Sequence, residues 1–550
     1  MVHFMVAMNA ETFAKDHAEV APGGYLLYDC SWPRLGELNR DDIHIIGVPL
    51  ARMVNHEFTD ARTRILMKNV AYVGALAALL DLDMAVIEES LKDTFGEGKA
   101  KLVEANMRAA RLGHEYANAH YDCPLPLHVR RTGLTAGHIV IDGNTTAALG
   151  AMFAGATVGA WYPITPSTSL MDAFNRFCGQ YRVNDRGERE YVVIRAEDEL
   201  AAIGMVLGAG WMGARAFTPT SGPGISLMNE LLSFGYYTEI PAVLFDIQRV
   251  GPSTGMPTRT QQADLMECAY AGHGDTRHIC LYPADPAEAF EMAVRAFDLA
   301  EHFQTPVFVV SDLDIGMNEW MVPELKWDGN YRPDRGKVLG ADELGRLTGR
   351  FARYLDPDND GIPHRSLPGV HPAGAFFTRG SGHSKQGTYT EDAAEYQEVM
   401  DRLARKFETA RAHVPPPVIE YAHDSARGRK ARPRPTRCGI VSLGSCDLAV
   451  REARKTLQAG GTALDYCRVR AFPFTDEVER FLAEHETIFV VEQNRDAQFR
   501  GMLLMETGVA AKNLVSVLHY NGLPIASSHV EAAVLDHLDK DRWHELDEKA

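Results

Sequence analysis

Between residues 157 and 310, short apolar runs rich in β-branched residues alternate with longer stretches of helical character. The strand-like runs cover residues 157–161, 192–195, 214–218, 242–247 and 306–310. This alternation predicts a doubly wound parallel sheet with helices on both faces. Ligands of such α/β sheets bind at the edge where the strands end.

Three polar segments follow these predicted strands. They are 162–168 (YPITPST), 197–199 (EDE) at the start of a helix rich in small residues, and 249–259 (RVGPSTGMPTR). We therefore expect the three segments to build one ligand site. From spacing alone, a plainer interpretation of the acids at 197–199 stays open, because acidic residues are common in the first turn of a helix.

Length, charge and cysteine content narrow the class of protein. A chain of 550 residues predicts three or four domains, and a net charge of −18 argues against general nucleic-acid binding. We expect no membrane span and no signal peptide, and hence a cytoplasmic protein. The eight cysteines form no Cys-x-x-Cys pair. We therefore expect reduced thiols, several of them buried, and no metal or iron–sulfur site in this chain.

Three longer strings carry a family resemblance. YPITPST, EDELAAIGMVLGAGWMGARAFTPTSGPG and GPSTGMPTRTQQADL, in this order, closely resemble the α subunit of 2-oxoacid:ferredoxin oxidoreductases, most of all the 2-oxoglutarate type. The resemblance covers residues 1 to about 545. It implies a partial γ-type α/β domain at 1–125, a pyrimidine-type thiamine diphosphate domain at 136–325, a loop-rich connecting segment with a helix at 326–432, and a transketolase C-terminal-like domain at 433–535.

The sequence departs from the family pattern at its start. The family's γ domain begins with a Gly-Gly-x-Gly loop, and no such loop precedes the region matched here. Either about half of that domain is absent or the start of the sequence is misassigned, and the CoA contact usually made by this loop is in doubt.

Two segments between the predicted domains allow a functional and a plain interpretation. Residues 356–361 (DPDNDG) have the opening spacing of a calcium loop, but Leu367 stands where a glutamate should complete it, so an Asx-rich turn is favoured. The basic, proline-containing residues 427–437 are predicted to be a solvated tether.

Activation of thiamine diphosphate requires a carboxylate at N1′ of its aminopyrimidine ring, so that the 4′-nitrogen can remove the C2 proton. Glu199 matches the family's glutamate by its place in the motif, and Glu197 is the alternative. The resemblance places Tyr162, Pro163 and Ile164 along the cofactor.

Binding a 2-oxoacid requires cations and hydroxyl donors. Thr165 lies in a loop stiffened by two prolines, and Arg249, Thr254 and Arg259 lie in one Gly/Pro/Ser/Thr-rich loop. Arginine binds carboxylates through two parallel hydrogen bonds, although either arginine could instead form a structural ion pair. For a second, distal carboxylate, Lys68 is a candidate, with an exposed helix lysine as the plainer interpretation.

The sequence contains no Gly-Asp-Gly motif followed by an Asn, which in such enzymes holds the diphosphate through a divalent metal. The resemblance therefore implies a β subunit that supplies this motif, Mg²⁺ and a [4Fe-4S] cluster in an α2β2 complex. The expected reaction is CoA-dependent oxidative decarboxylation of 2-oxoglutarate to succinyl-CoA and CO2, with electrons passed to ferredoxin. Two alternatives stay open: activity on pyruvate or branched-chain 2-oxoacids, and a non-catalytic scaffold subunit.

Overall fold

The structure, a computed structural model, describes residues 2–32, 34, 36–130, 132–422 and 435–547. The chain divides into two compact units, one ending at Ala136 and the other beginning at Gly137. Most of the predicted tether, residues 427–434, lies outside the described residues.

The first unit is a three-stranded parallel sheet in the order β1-β2-β3, covered by helices. Its elements are β1 (Val2–Ala7), α1 (Phe13–Glu19), β2 (Val20–Asp29), β3 (His44–Val48), α2 (Leu50–Glu57), α3 (Ala61–Leu80), α4 (Met84–Phe95) and α5 (Ala100–His120).

Among the described residues, α3 is one helix whose length and apolar composition would allow it to cross a membrane. In the structure it packs tightly on α5. A Cβ atom at Gly74 would lie 1.8 Å from the carbonyl oxygen of Ala110, and one at Gly113 would lie 2.0 Å from that of Ala71. The two glycines therefore let the helix backbones touch, and Ala71, Tyr72, Ala75 and Leu79 form part of the unit's core.

The first half of the second unit alternates strands and helices as the sequence predicts. Its elements are β4 (His138–Ile141), α6 (Gly143–Phe153), β5 (Val158–Trp161), α7 (Thr168–Tyr181), β6 (Val192–Arg195), α8 (Glu199–Trp211), β7 (Ala216–Thr220), α9 (Gly222–Thr238), β8 (Ala242–Gln248), α10 (Leu265–Ala269), β9 (Ile279–Leu281), α11 (Pro286–Phe303), β10 (Pro306–Asp312), α12 (Leu313–Met317) and β11 (Trp320–Pro323).

The second half of this unit begins with a loop-rich stretch and ends in another α/β layer. Its elements are α13 (Ala341–Gly345), α14 (Ala393–Ala410), β12 (Val418–Glu420), β13 (Cys438–Ser442), α15 (Asp447–Ala459), β14 (Asp465–Arg468), β15 (Ala471–Phe472), α16 (Asp476–Glu484), β16 (Thr487–Glu492), α17 (Gln498–Thr507), β17 (Leu514–Leu518) and α18 (Ser527–Asp547).

Two sheets organise the second unit. The larger has seven strands in the order β15-β9-β10-β8-β7-β5-β6, all parallel except β15. The smaller has five strands in the order β12-β14-β13-β16-β17. A single apolar core runs through both, because Phe245 and Phe308 of the larger sheet belong to the same cluster of buried side chains as Val441 and Val490 of the smaller one.

A cluster of buried charges attaches the loop-rich stretch to the larger sheet. The Glu239 carboxylate accepts from Arg402 Nη2 at 2.7 Å and from Lys406 Nζ at 2.7 Å. Arg353 Nη2 donates to the Glu239 carbonyl oxygen at 2.9 Å. All four residues are buried. We call this set the Glu239 cluster.

The segment with calcium-loop spacing is a turn closed by the chain's own groups. The Asp356 carboxylate accepts the backbone N–H groups of Asp360 and Gly361. Asp358 and Asp360 accept from Lys337 Nζ at 2.7 and 2.9 Å. The predicted Asx-type turn is thus present, and the Lys337 ammonium ion lies among its carboxylates.

Some elements differ from their predicted bounds for physical reasons. The strand predicted at 214–218 is Ala216–Thr220 and contains Pro219, which lacks the N–H of a strand ladder. The register joins β7 to β5 only at Ala216 and Phe217, whereas β7 stays paired with β8 through Thr220. Pro219 is tolerated because β5 has separated from β7 at that point.

Candidate functional site

The predicted site lies at the carboxyl edge of four neighbouring strands of the seven-stranded sheet. The segments 162–168, 197–199 and 249–259 follow β5, β6 and β8, and the turn at Ser221 follows β7. Because these strands are adjacent in the order β8-β7-β5-β6, all four connections leave the same edge of the sheet. The edge is therefore assembled as the strand–helix alternation predicts.

The three acids after β6 differ sharply in their surroundings. Asp198 is the N-cap of α8, and its Oδ1 accepts the backbone N–H of Ala201 at 2.7 Å. Glu197 is exposed, whereas Glu199 retains only 6% of its accessible surface. Within the described ranges, no residue donates a hydrogen bond to the Glu199 carboxylate. The plain capping role belongs to Asp198, so Glu199 is free to act on another group.

Close packing in the turn after β7 shapes the wall beside Glu199. A Cβ atom at Gly224 would lie 2.9 Å from Glu199 Cγ and 2.0 Å from Thr220 Oγ1. Residues 222–224 form the first turn of α9. A buried carboxylate without a donor fits a group that offers it a ring N–H, as an aminopyrimidine does.

Arg249 lies directly after β8 and joins two of the predicted segments. It is 7% exposed, and its Nη1 donates to the carbonyl oxygen of Thr165 at 2.6 Å, while its buried Nε has no partner among the described residues. The structure therefore brings Arg249 and Thr165 together and leaves part of the guanidinium group available to an anion.

Thr254 and Arg259 lie on the exposed tip of the same loop. The tip is shaped by Gly255, whose φ is +53° and whose Cβ would lie 1.9 Å from the carbonyl oxygen of Val250. Arg259 Nη1 donates to the Thr258 carbonyl oxygen at 3.0 Å. Both predicted contacts are thus far more exposed than Arg249 and Thr165.

A cavity of about 640 Å³ lies beside Arg249. Its wall includes Gly222 at the start of α9, Arg249 and Asp264 at the two ends of the loop, and Asn494 and Tyr520 of the C-terminal layer. Of the predicted site residues, Arg249 is the one that lines it.

The cavity wall contains a carboxyl group that sequence reasoning did not assign. Burial, and next the charge of Glu267, raises the pKa of Asp264 to about 7, and burial raises the pKa of its neighbour Asp246 well above the usual range. A Cβ at Gly222 would lie 2.5 Å from Asp264 Oδ1, so only glycine leaves room for this carboxyl group. Burial therefore favours a protonated carboxyl group in this pair, beside Arg249.

The remaining predicted residues lie in the loop after β5 and in the first unit. Tyr162 is 37% exposed, and Pro163 and Ile164 are partly buried in the loop after β5. Lys68 is a partly exposed residue of α3 in the first unit. Its role at the site remains a prediction.

Comparison with known families agrees with the fold. Residues 149–332 match the family model described as pyruvate flavodoxin/ferredoxin oxidoreductase, thiamine diphosphate-binding. Residues 1–116 match the model described as pyruvate ferredoxin/flavodoxin oxidoreductase. The class of the protein is therefore that of thiamine diphosphate-binding oxidoreductase subunits.

Similar proteins narrow this class. The chain is 31% identical to subunit alpha of 2-oxoacid:ferredoxin oxidoreductase 2 of Aeropyrum pernix, over 96% of this chain and 87% of that protein. It is 43% identical to the 2-oxoglutarate synthase subunit KorA of Methanocaldococcus jannaschii, over 64% of this chain and 88% of that subunit. The chain belongs to the α subunits of the 2-oxoacid:ferredoxin oxidoreductases.

A solved structure has the same fold over nearly the whole chain. The 2-oxoglutarate:ferredoxin oxidoreductase from Magnetococcus marinus, with 2-oxoglutarate, coenzyme A and succinyl-CoA bound, has a TM-score of 0.84 at 25% identity. The match covers 98% of this chain and 88% of that one.

Proposed function

We propose that this chain is the α subunit of an enzyme that decarboxylates 2-oxoglutarate oxidatively with CoA, giving succinyl-CoA and CO2 and passing electrons to ferredoxin. The observation that carries the proposal is that Glu199 is buried, that no described residue donates a hydrogen bond to its carboxylate, and that it lies at the same sheet edge as Arg249. Of the Arg249 guanidinium group, Nη1 donates to Thr165, whereas Nε has no partner among the described residues. The named activities of similar proteins support 2-oxoglutarate as the acid.

Glu199 would accept a hydrogen bond at N1′ of the cofactor's aminopyrimidine ring. Its placement at the start of α8, packed against Gly224, would hold the carboxylate in position for a hydrogen bond with that nitrogen. Thiamine diphosphate, when bound, supplies the nucleophilic carbon that attacks the keto group. The role of this chain, through Glu199, would be to set the protonation state of the aminopyrimidine ring.

Arg249 would bind the carboxylate next to the keto group of the substrate. The Thr165 carbonyl oxygen fixes one arm of the guanidinium, so its direction is set before the acid arrives. Such pre-orientation lowers the entropy lost on binding. Thr165, Thr254 and Arg259 are proposed as further contacts, and Lys68 as the donor to the distal carboxylate.

The finer organisation is part of the same proposal. A β subunit would supply the diphosphate-binding motif, Mg²⁺ and the [4Fe-4S] cluster in an α2β2 complex. This chain would itself divide into domains at 1–125, 136–325, 326–432 and 433–535. The eight scattered cysteines, without any Cys-x-x-Cys pair, are consistent with a reducing cytoplasm.

The test of the proposed function is an assay of CoA-dependent viologen reduction by the chain co-expressed with its β subunit. We expect turnover with 2-oxoglutarate and much weaker turnover with pyruvate and 2-oxoisovalerate, which lack a second carboxylate. Preference for one of the other acids would keep the class and exclude Lys68 as the distal donor. Absence of turnover with all three, in a complex containing thiamine diphosphate and the cluster, would contradict the proposal and favour a scaffold.

Replacing Arg249 by lysine should lower kcat/KM for the 2-oxoacid about a hundredfold, mainly through a higher KM. Lysine keeps the charge but lacks the planar fork with which arginine can contact the Thr165 carbonyl oxygen on one arm and a carboxylate on the other. A charge-assisted hydrogen bond contributes about 1.5–3 kcal/mol. Steady-state kinetics would measure the change. Arg186→Lys, at an exposed position between α7 and β6, is the matched control and should change kcat/KM less than about threefold. Equal effects in the two variants would refute the assignment.

A further inference from the structure

The loop between β8 and α10 is held at its base by the C-terminal layer. Gln262 is buried there; its backbone N–H donates to the Gln493 carbonyl oxygen at 2.8 Å, and its own carbonyl oxygen accepts from Asn494 Nδ2 at 2.9 Å. Gln493 and Asn494 follow directly after β16. The loop that begins with Arg249 therefore ends against a different sheet.

The side chain of Gln262 extends this contact to two further strand ends. Its Nε2 lies 3.3 Å from both Asp312 Oδ2, at the end of β10, and Ser445 Oγ, just after β13. Its Oε1 accepts the backbone N–H of Gln493 at 3.3 Å. Gly444 has a φ of +57°, and a Cβ there would lie 2.8 Å from Gln262 Nε2, so the turn is shaped around this amide. Every polar atom of Gln262 is thus engaged.

Neighbouring residues transmit this anchoring to the loop. Thr260 N–H donates to the Gly522 carbonyl oxygen at 3.1 Å, and Gln498 Nε2 donates to the Ala263 carbonyl oxygen at 2.6 Å. Gln261 Oε1 accepts the N–H of Gly251 at 3.1 Å, two residues after Arg249.

The tip of the loop, in contrast, is largely exposed and bonded to itself. Val250 N–H donates to the Arg259 carbonyl oxygen, and Met256 N–H donates to that of Val250. The position of the tip therefore depends on how firmly the base is held.

We propose that Gln262 is a positioning residue for 2-oxoacid binding, through which the C-terminal layer fixes the loop that carries Arg249, Thr254 and Arg259. The inference rests on the proposed function, because it assumes that this loop binds the substrate carboxylate. It assigns to the C-terminal layer a part in substrate affinity in addition to its packing on the larger sheet.

The test compares Gln262→Met with Gln304→Met in the co-expressed complex. Both glutamines are buried; Gln304 Nε2 donates to the Pro363 carbonyl oxygen at 2.6 Å, but from the opposite edge of the sheet, before β10. Methionine has a similar volume, so each variant loses hydrogen bonds and little packing. Hydrogen exchange of the Val250, Gly251, Met256 and Arg259 amides reports the loop directly.

In Gln262→Met we expect these four amides to exchange about tenfold faster or more, and KM for the 2-oxoacid to rise about tenfold, with kcat and KM for CoA within about threefold. Gln304→Met should leave both the exchange and KM near wild type. If Gln262→Met does not fold, Ser445→Ala takes its place, because it removes one hydrogen-bond partner of the Gln262 side-chain amide with little loss of packing. It should raise both the exchange rates of the four amides and the KM for the 2-oxoacid.

Unchanged exchange at the four amides in Gln262→Met, or equal acceleration in both variants, would overturn the proposal. So would faster exchange with a wild-type KM for the 2-oxoacid. Exchange requires no substrate, so failure of the anchoring remains distinguishable from an error in the proposed reaction, which would appear as absent turnover in the wild-type complex.

Discussion

Turnover of the assembled enzyme should fall about a thousandfold when Glu199 is replaced by glutamine, since positioned acid–base groups contribute about 10²–10⁴-fold to rates. Glutamine fills the same space beside Gly224 but cannot take up or share the proton at the cofactor's ring nitrogen. Steady-state viologen reduction would measure the loss, and calorimetric titration with thiamine diphosphate would show whether the cofactor still binds.

Glu197→Gln is the matched control for this prediction. It makes the same chemical change two residues earlier, at an exposed position before the same helix. Its turnover should stay within about twofold of wild type, because exposed substitutions away from a site have small effects. If Glu199→Gln remained as active as Glu197→Gln, the buried carboxylate would not be the activating group.

Replacing Glu239 by glutamine should lower the free energy of unfolding by about 3 kcal/mol or more, because it leaves buried cations without their counter-charge. Urea unfolding followed by tryptophan fluorescence would measure the loss; Trp211 Nε1 donates to Thr378 Oγ1 at 2.6 Å, so this indole reports the attachment of the loop-rich stretch. Glu398→Gln, which breaks an exposed ion pair with Lys385, should cost less than about 1 kcal/mol. A similar loss of unfolding free energy in Glu239→Gln and Glu398→Gln would show that burial does not strengthen the ion pairs of Glu239.

The pH dependence of the Glu239 cluster follows from its charges. Burial alone would raise the pKa of Glu239, but Arg402 and Lys406 outweigh burial and hold that pKa well below its ordinary value of 4.5. A lowered folded pKa gives stability that is present above the unfolded pKa and lost as the pH falls toward the folded one. The difference in unfolding free energy between wild type and Glu239→Gln should therefore shrink progressively as the pH falls below about 5. Burial lowers the pKa of Lys406 to about 8, so Arg402 is the more durable partner at high pH.

Local periodicity was sufficient to predict most of the sheet edge. The strand at 192–195 has its predicted bounds, and those predicted at 157–161, 242–247 and 306–310 differ from the observed strands by at most two residues at one end. Strand–helix alternation also fixes which connections leave the carboxyl edge. The positions of Arg249 and Glu199 at one edge therefore followed from the sequence.

Contacts between distant segments could not be predicted in the same way. The two-residue strand β15 adds to β9 from nearly 200 residues away, and it is too short to show any period. Gln262 and Asp264 belong to the segment 251–265, which carries part of the family resemblance. Nothing in the local sequence pattern predicts that Gln262 contacts Ser445 or that Asp264 lies beside Asp246. Local patterns define which face of an element is buried, whereas the partner depends on the global packing.

Lys337, which lies among the carboxylates at 356–361, makes it possible to distinguish metal-dependent folding of this chain from metal-dependent activity of the complex. A divalent ion in such a turn would make the fold of this stretch sensitive to chelators. Here Lys337 Nζ contacts Asp358, Asp360 and the Ile362 carbonyl oxygen, so the turn is neutralised by an amine that EDTA cannot remove. Loss of activity on chelation would consequently report on the metal expected in the β subunit. The fold of residues 356–361, which should not change on chelation, is the internal control for that experiment.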